Sequence, residues 1–166
     1  IYYGDEIGLR YVENLVSVEG GYSRTGSRSP MQWNHGVNFG FSNASPEKLY
    51  IPTDPEPNSP TAEDQINDPD SLYHEVKKLI AIRRANSALL SDGDIEFVSD
   101  GADGAPLAYI RSSADEKILV VVNPADREAV LEVPGTWNVC LYTVGGIVKA
   151  EHGKLIVAPK SANLLK

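Results

Sequence analysis

The chain has 166 residues, 42% of them apolar and 23% charged, with 23 acids against 15 bases for a formal net charge of −8. That balance opposes binding to a polyanionic nucleic-acid backbone, no apolar run is long enough to span a membrane, and one cysteine, Cys140, permits neither an internal disulfide nor a thiolate metal cluster. The composition suits a soluble globular protein, with length for one ordinary domain or for the tail of one domain and a small second one.

Ile1 to Gly4 is short and apolar, which predicts a strand buried on both faces of a parallel sheet. The chain opens without Met inside this apolar segment, so residues upstream are expected, and any targeting signal would lie among them. Asp5 and Glu6 follow Gly4 at the carboxyl end of the strand, which is the functional rim of an α/β barrel. Paired carboxylates can cleave glycosides as acid and base. Consecutive strand residues point to opposite faces, however, so these two are rim candidates and not a catalytic pair.

From Gly20 to Gln65 the sequence is dense in Gly, Pro, Ser and Asn and reads as one long loop. Loops of that length in compact domains usually build or cover a site. Its informative part is SRTGSRSPMQWNHGVNFGF, Ser23 to Phe41. Arg24 and Arg28 sit among residues too small to hide them, and Pro30, Met31 and Trp33 supply an apolar anchor around Gln32. A guanidinium fork held beside an indole suits recognition of a carboxylate or a polar ligand. Trp33 reads as packing more than as a platform, and His35, in an Asn/Gly turn, as an ordinary exposed histidine. Five prolines, at 46, 52, 55, 57 and 60, predict a stiff extended stretch.

Asp68-Pro69-Asp70-Ser71 reads as a helix start, with Asp68 as N-cap and Pro69 at the first helical position. Leu72, Val76, Leu79 and Ile80 carry an apolar stripe to about Asn86, with basic residues in the final turns where the helix dipole favours them. After Asp92-Gly93 the period changes to two. Eight short strands are predicted, at Ile95–Val98, Leu107–Arg111, Lys117–Asn123, Glu128–Val133, Asn138–Thr143, Ile147–Ala150, Lys154–Val157 and Ala162–Leu165. They predict an antiparallel sandwich or barrel with Ile118 to Val122 central and buried on both faces. Cys140, between Val139 and Leu141, reads as a buried small hydrophobe, and a single cysteine is compatible with the cytoplasm. Asp100 to Gly104 has the flavour of a calcium loop but lacks the later Glu, and a hairpin loop explains it better. No phosphate loop, dinucleotide fingerprint, zincin helix or serine elbow is present.

The ordered segments IYYGDEIGL, SRSPMQW, GFS, LYIP and DPDSLYHEVKKLIAIRR resemble the closing part of the α-amylase family, glycoside hydrolase family thirteen. Within it they are most similar to the α-glucosidase, oligo-1,6-glucosidase and trehalose synthase branch, with Ser29 where Thr is usual. The resemblance implies that residues 1–90 are the last strand, active-site loop and last helix of a (β/α)8 barrel, and that 91–166 are the C-terminal antiparallel β-sandwich domain. It implies a retaining enzyme acting on α-glucosides or maltooligosaccharides, whose catalytic carboxylates lie on earlier strands supplied by a missing N-terminal part of the barrel. No cofactor and no metal-binding residue is read in this sequence, and the metal dependence of the whole enzyme stays open. By position, Arg28 would bind substrate, and Asp5, Glu6, Arg24, Gln32 and Trp33 would form the rim. A hydrolase and a glucosyl isomerase or transglycosidase stay equally open. The rival from another class is a noncatalytic carbohydrate-binding module using Tyr109, Trp137 and Tyr142 of the β region.

Overall fold

The computed structural model describes residues 1–166 except 147, 152 and 153, with the backbone alone at 150 and 151. Two units result, Ile1–Lys78 and Leu79–Lys166. The second contains β1 Asp94–Asp100, β2 Leu107–Ser112, β3 Lys117–Asn123, β4 Ala129–Glu132, β5 Cys140–Val144, β6 Lys149–Glu151, β7 Lys154–Val157 and β8 Ser161–Leu165. These form a five-stranded sheet in the order β1-β2-β3-β8-β5 and a three-stranded sheet in the order β4-β7-β6, with every pairing antiparallel. The strand pattern read from the sequence is therefore recovered strand by strand. Ile147, in the sixth predicted strand, lies outside the described residues.

Strand β3 shows why the pattern is so apolar there. Leu119 and Val121 face the second sheet and join Ala108, Ile110, Leu155 and Val157 in one core, while Ile118 and Val120 face the other way onto the wholly buried Ala88. A strand covered on both sides loses the alternation of a half-exposed one. Glu116 fixes the end of the β2–β3 hairpin by accepting the Ala88 N–H at 3.0 Å and pairing with Lys166 at 2.9 Å. That ammonium, outweighing the cost of burial and helped by the Ala88 N–H, holds the Glu116 carboxyl below its usual range. Asp100 closes β1, and Gly101 to Gly104 belong to the loop that joins it to β2 in an antiparallel hairpin. Cys140 departs from expectation and is exposed. It opens the edge strand β5, where an irregularity between Cys140 and Tyr142 takes it out of step with the buried Tyr142, so its apolar neighbours Val139 and Leu141 do not bring burial.

The first unit contains no strand among its described residues, so the expected Ile1 to Gly4 strand is not formed. Ile1 is 95% exposed, and Tyr2 and Tyr3 are about half exposed. A parallel strand takes its ladder hydrogen bonds from neighbours, and this unit offers none. Gly4 instead turns the chain through a left-handed φ of 91°, in a position where any Cβ would collide with Leu9, and a 3-10 turn follows at Asp5–Ile7. Ile7, buried with Met31 and Ala62, makes a small local core.

The long loop is held by bonds far apart in sequence. Val12 N–H donates to the Gly26 carbonyl at 3.0 Å, and Val18 N–H to that of Tyr50 at 2.9 Å. Arg10 grips the buried Asp54 with two bonds, Nε to Oδ2 at 2.7 Å and Nη2 to Oδ1 at 2.5 Å. Burial pushes the Asp54 carboxyl up, but the Arg10 fork and the Glu56 N–H outweigh it and hold the group below its ordinary value. The stretch read as stiff and extended begins in a 3-10 turn at Pro46–Lys48. The loop also ends earlier than predicted, because Ala62–Asn67 is a short helix, α1. Thr61 caps it by accepting the Asp64 N–H at 3.1 Å while its hydroxyl donates to the Asp64 carboxylate at 2.7 Å. Six residues show no apolar period, so only the Thr-x-x-Asp spacing could have marked it.

The second helix, α2, runs Leu72–Ala85 and starts after Ser71, not at Asp68 and Pro69 as expected. Asp68 closes α1, its carboxylate taking the Asp70 N–H at 3.0 Å, and Ser71 Oγ accepts from His74 N–H at 3.4 Å. Two helices abut here, so a signature that looks like one start is the link between them. The far end falls one residue before the expected Asn86, whose side chain caps it by donating to the Ile82 carbonyl at 2.7 Å. No α2 residue is buried, and the stripe residues Leu72 and Ile80 are 46% and 40% exposed. Among the described residues no helix is long and apolar enough to cross a membrane.

Candidate functional site

The loop from Arg24 to Phe41 is built on buried anchors. Thr25 and Ser29 are 4% and 3% exposed, and the Tyr3 hydroxyl donates to the Ser29 carbonyl at 3.0 Å. Gly26 passes so close to Val12 that a Cβ would overlap its carbonyl, so this crossing requires glycine. Further on, the Gln32 and Trp33 carbonyls accept the Ala62 and Glu63 N–H groups at 2.8 and 3.0 Å. Arg28 is thus an exposed side chain on a fixed backbone.

A second device fixes the far wall. Asn38, Phe39 and Gly40 are consecutive left-handed residues, with φ of 51°, 56° and 71°. For the two non-glycines this costs about 1–2 kcal/mol each. The cost is offset locally: the Phe39 carbonyl accepts the Trp33 N–H at 2.8 Å and the Asn34 N–H at 3.2 Å, and the Asn38 amide donates to the Ser42 and Ala44 carbonyls. Strain of this kind gathers at functional sites, where geometry matters more than local energy. Here it sets Trp33 and Phe41 on either side of one turn.

Both rings line an open cavity of about 360 Å³, whose other aromatic walls are Tyr3 and Tyr50 and whose charged groups are Arg28 and Glu6. Burial and the neighbouring Tyr2 push the Tyr3 phenol up, against a downward pull from Arg28. A hydrogen bond with Glu19, and burial, push the Tyr50 phenol up. Both phenol O–H groups are thus already engaged, Tyr3 with the Ser29 carbonyl and Tyr50 with Glu19, and what they present to the cavity is their rings. Aromatic faces with a few convergent polar groups are the usual make-up of a small-ligand pocket.

Of the six residues singled out in the sequence, Arg28, Glu6 and Trp33 meet in this cavity. Trp33 is 52% exposed, so the expectation that it is packing is corrected. Its backbone is tied to the left-handed turn through the Trp33 N–H on the Phe39 carbonyl at 2.8 Å. Asp5 lines a separate cavity of about 270 Å³. Arg24 lies exposed, with its carbonyl taken up by the Ser27 hydroxyl at 2.9 Å. Gln32 is not on a rim: it is 1% exposed, and neither side-chain amide atom has a hydrogen-bond partner among the described residues. Asp5 and Glu6 are not poised as acid and base, since Asp5 accepts the Tyr2 N–H at 2.8 Å and Glu6 the Gly4 N–H at 2.9 Å. His35 is exposed and pairs with Asp64 at 2.8 Å, a surface contact. Sequence reasoning missed Tyr3, Phe41 and Tyr50. Their only signal was the presence of aromatic rings in Gly/Pro-rich surroundings, and that does not say which rings converge. Among the described residues, no three His, Cys, Asp or Glu side chains gather as a metal site requires.

Residues 1–93 match the alpha amylase catalytic domain family and 95–144 the maltogenic amylase C-terminal domain family. The chain belongs to the α-amylase family of glycoside hydrolases, as a barrel-end segment followed by an antiparallel β domain. It is 36% identical to a glucan 1,6-alpha-glucosidase of Streptococcus pneumoniae over 112 residues, which are 68% of this chain and 20% of that protein. It is 37% identical to a trehalose synthase of Pimelobacter over 131 residues, 74% of this chain and 22% of that protein. The crystal structure of the trehalulose synthase MutB from Pseudomonas mesoacidophila superposes with a TM-score of 0.72 at 27% identity, over 86% of this chain and 26% of that one. The chain thus spans only about a fifth to a quarter of the length of these relatives.

Proposed function

We propose that these residues are the C-terminal segment of a retaining enzyme acting on α-glucosides, with the division of labour falling near residues 90 and 91. The carrying observation is the convergence of Arg28 and Glu6 with an aromatic wall in one open cavity. In this reading the covalent glucosyl intermediate forms on one carboxylate and a second works as acid and base. Both belong to the N-terminal part of the barrel, the partner of this segment. The apolar groups left exposed in residues 1–78, Ile1 and Leu72 among them, are suited to covering by that partner. Arg28 closes the pocket around the non-reducing glucose, with Glu6 and Trp33 on the rim and Asp5, Arg24 and Gln32 supporting the loop behind it.

The test is Arg28→Ala in the complete enzyme carrying this segment. Losing a charge-assisted hydrogen bond is expected to raise KM and lower kcat/KM for an α-glucoside by about ten- to a hundredfold, with unfolding unchanged. Unaltered kinetics would remove the assigned role. A second reading, a glucosyl isomerase, is favoured by the 37% identity to a trehalose synthase. Product analysis separates the two: from maltose, a hydrolase releases glucose and an isomerase yields a disaccharide.

A further inference from the structure

The three aromatic candidates of the β unit have different fates. Tyr142 is buried at 6% exposure, and Tyr109 is half-buried against the Phe97 ring, 5.8 Å between centroids. Only Trp137 borders open space: it packs against the inter-sheet core and also lines a cavity of about 410 Å³ that lies wholly within residues 79–166. Its ring is fixed. The indole N–H donates to the Pro134 carbonyl at 3.0 Å, across Gly135 at a left-handed φ of 88°, and the ring packs on the inter-sheet core. The Pro134-Gly135 turn therefore serves as a mount that holds one indole at the edge of a cleft, at little further cost in ordering on binding.

The remaining polar residues of the lining are Thr136, Glu96, Lys117 and Lys166. Lys166 is already neutralised by Glu116 at 2.9 Å, so the lining offers donors and acceptors without an excess of either charge. An anion or cation gains little there. A neutral molecule that is rich in hydroxyls yet has one flat apolar face gains both a stacking surface and hydrogen bonds, since partly positive C–H groups sit well on the negative face of an indole.

We propose that this cleft is a second carbohydrate-binding site, separate from the Arg28 cavity, taking a neutral pyranose of an oligosaccharide on the Trp137 face. Its role is to hold substrate chains, not to cleave them. The sequence has two tryptophans, so the indole N–H resonances of Trp33 and Trp137 in an NMR spectrum of the 166-residue chain report the two cavities separately. Titration with maltooligosaccharides, isomaltooligosaccharides and cellooligosaccharides is expected to shift the Trp137 signal saturably with at least one series. Trp137→Ala is expected to abolish that binding, and the surface change Lys117→Ala, which spares the core, to weaken it by about three- to tenfold. Arg28→Ala should leave it unchanged, which keeps this site's failure distinct from failure of the Arg28 assignment. No saturable shift at Trp137 with any series, or binding unaffected by Lys117→Ala and by Trp137→Ala alike, overturns the proposal. So does a shift confined to Trp33.

Discussion

Residues 1–78 and 79–166 solve the same folding problem in opposite ways. The second unit builds its own core from eight strands, with Leu119, Val121 and Val157 essentially inaccessible. The first has only the small cluster of Ile7, Met31 and Ala62, and most of the large apolar side chains left exposed among the described residues belong to it. It is held instead by long-range polar ties: the Arg10 fork on Asp54, the Thr61 cap and the carbonyls that grip Trp33. Hydrophobic burial stabilises without direction, whereas a hydrogen bond fixes geometry for a smaller net gain. The unit carrying the candidate site thus has its loop geometry defined while its apolar groups remain available.

The sharpest way to break this contrast is Leu119→Ala. Emptying a wholly buried site between the two sheets should lower the unfolding free energy by about 2–5 kcal/mol, read from urea denaturation. A loss under about 1 kcal/mol would show that the sandwich core is not the stabilising centre. Hydrogen exchange sharpens the comparison without a substitution: the amides of β3 are expected to be the slowest in the chain, and those of residues 20–60 outside the bonds named above among the fastest.

The polar ties predict smaller effects. Thr61→Ala removes the cap of α1 and should cost about 1 kcal/mol, with Thr61→Ser retaining most of it. Replacing Gln32 by Leu deletes two amide atoms that have no partner among the described residues, so a change within about 1 kcal/mol in either direction is expected. A larger loss would reveal a partner for that amide. Asp54 gives the mildest signal. Its folded carboxyl titrates below the unfolded value, so the Arg10 tie contributes fully above about pH 4 and is lost as the pH falls through the lower folded value. Asp54→Asn should flatten that acid-induced decline in thermal melts, and an identical pH profile in the variant would dismiss the tie.

How much could be read in advance differs between the two units for the same reason. Period-two alternation located each strand of the β unit to within a residue or two, because its apolar faces find partners inside the same sequence. The Cys140 reading, drawn from its apolar neighbours, failed where a strand irregularity takes it out of step with the buried Tyr142. In the first unit Arg28 stood out through its motif, but Tyr3, Phe41 and Tyr50 did not, since no local pattern says which loop aromatics will meet. Asp68-Pro69 looked like a start because a capping signature is the same whether it opens one helix or joins two.

The sequence by itself determined the family, the eight-stranded β unit, the position of the long helix and the loop that carries Arg28, since each is written in local periodicity or in contiguous motifs. Only the tertiary structure decided that residues 1–4 form no strand, that Gln32 is buried while Trp33 is exposed, and that Arg28, Glu6 and four aromatic rings border one cavity. Those outcomes depend on hydrogen bonds and packing between residues tens of positions apart, and on a left-handed turn at Asn38–Gly40 whose cost only its surroundings can offset.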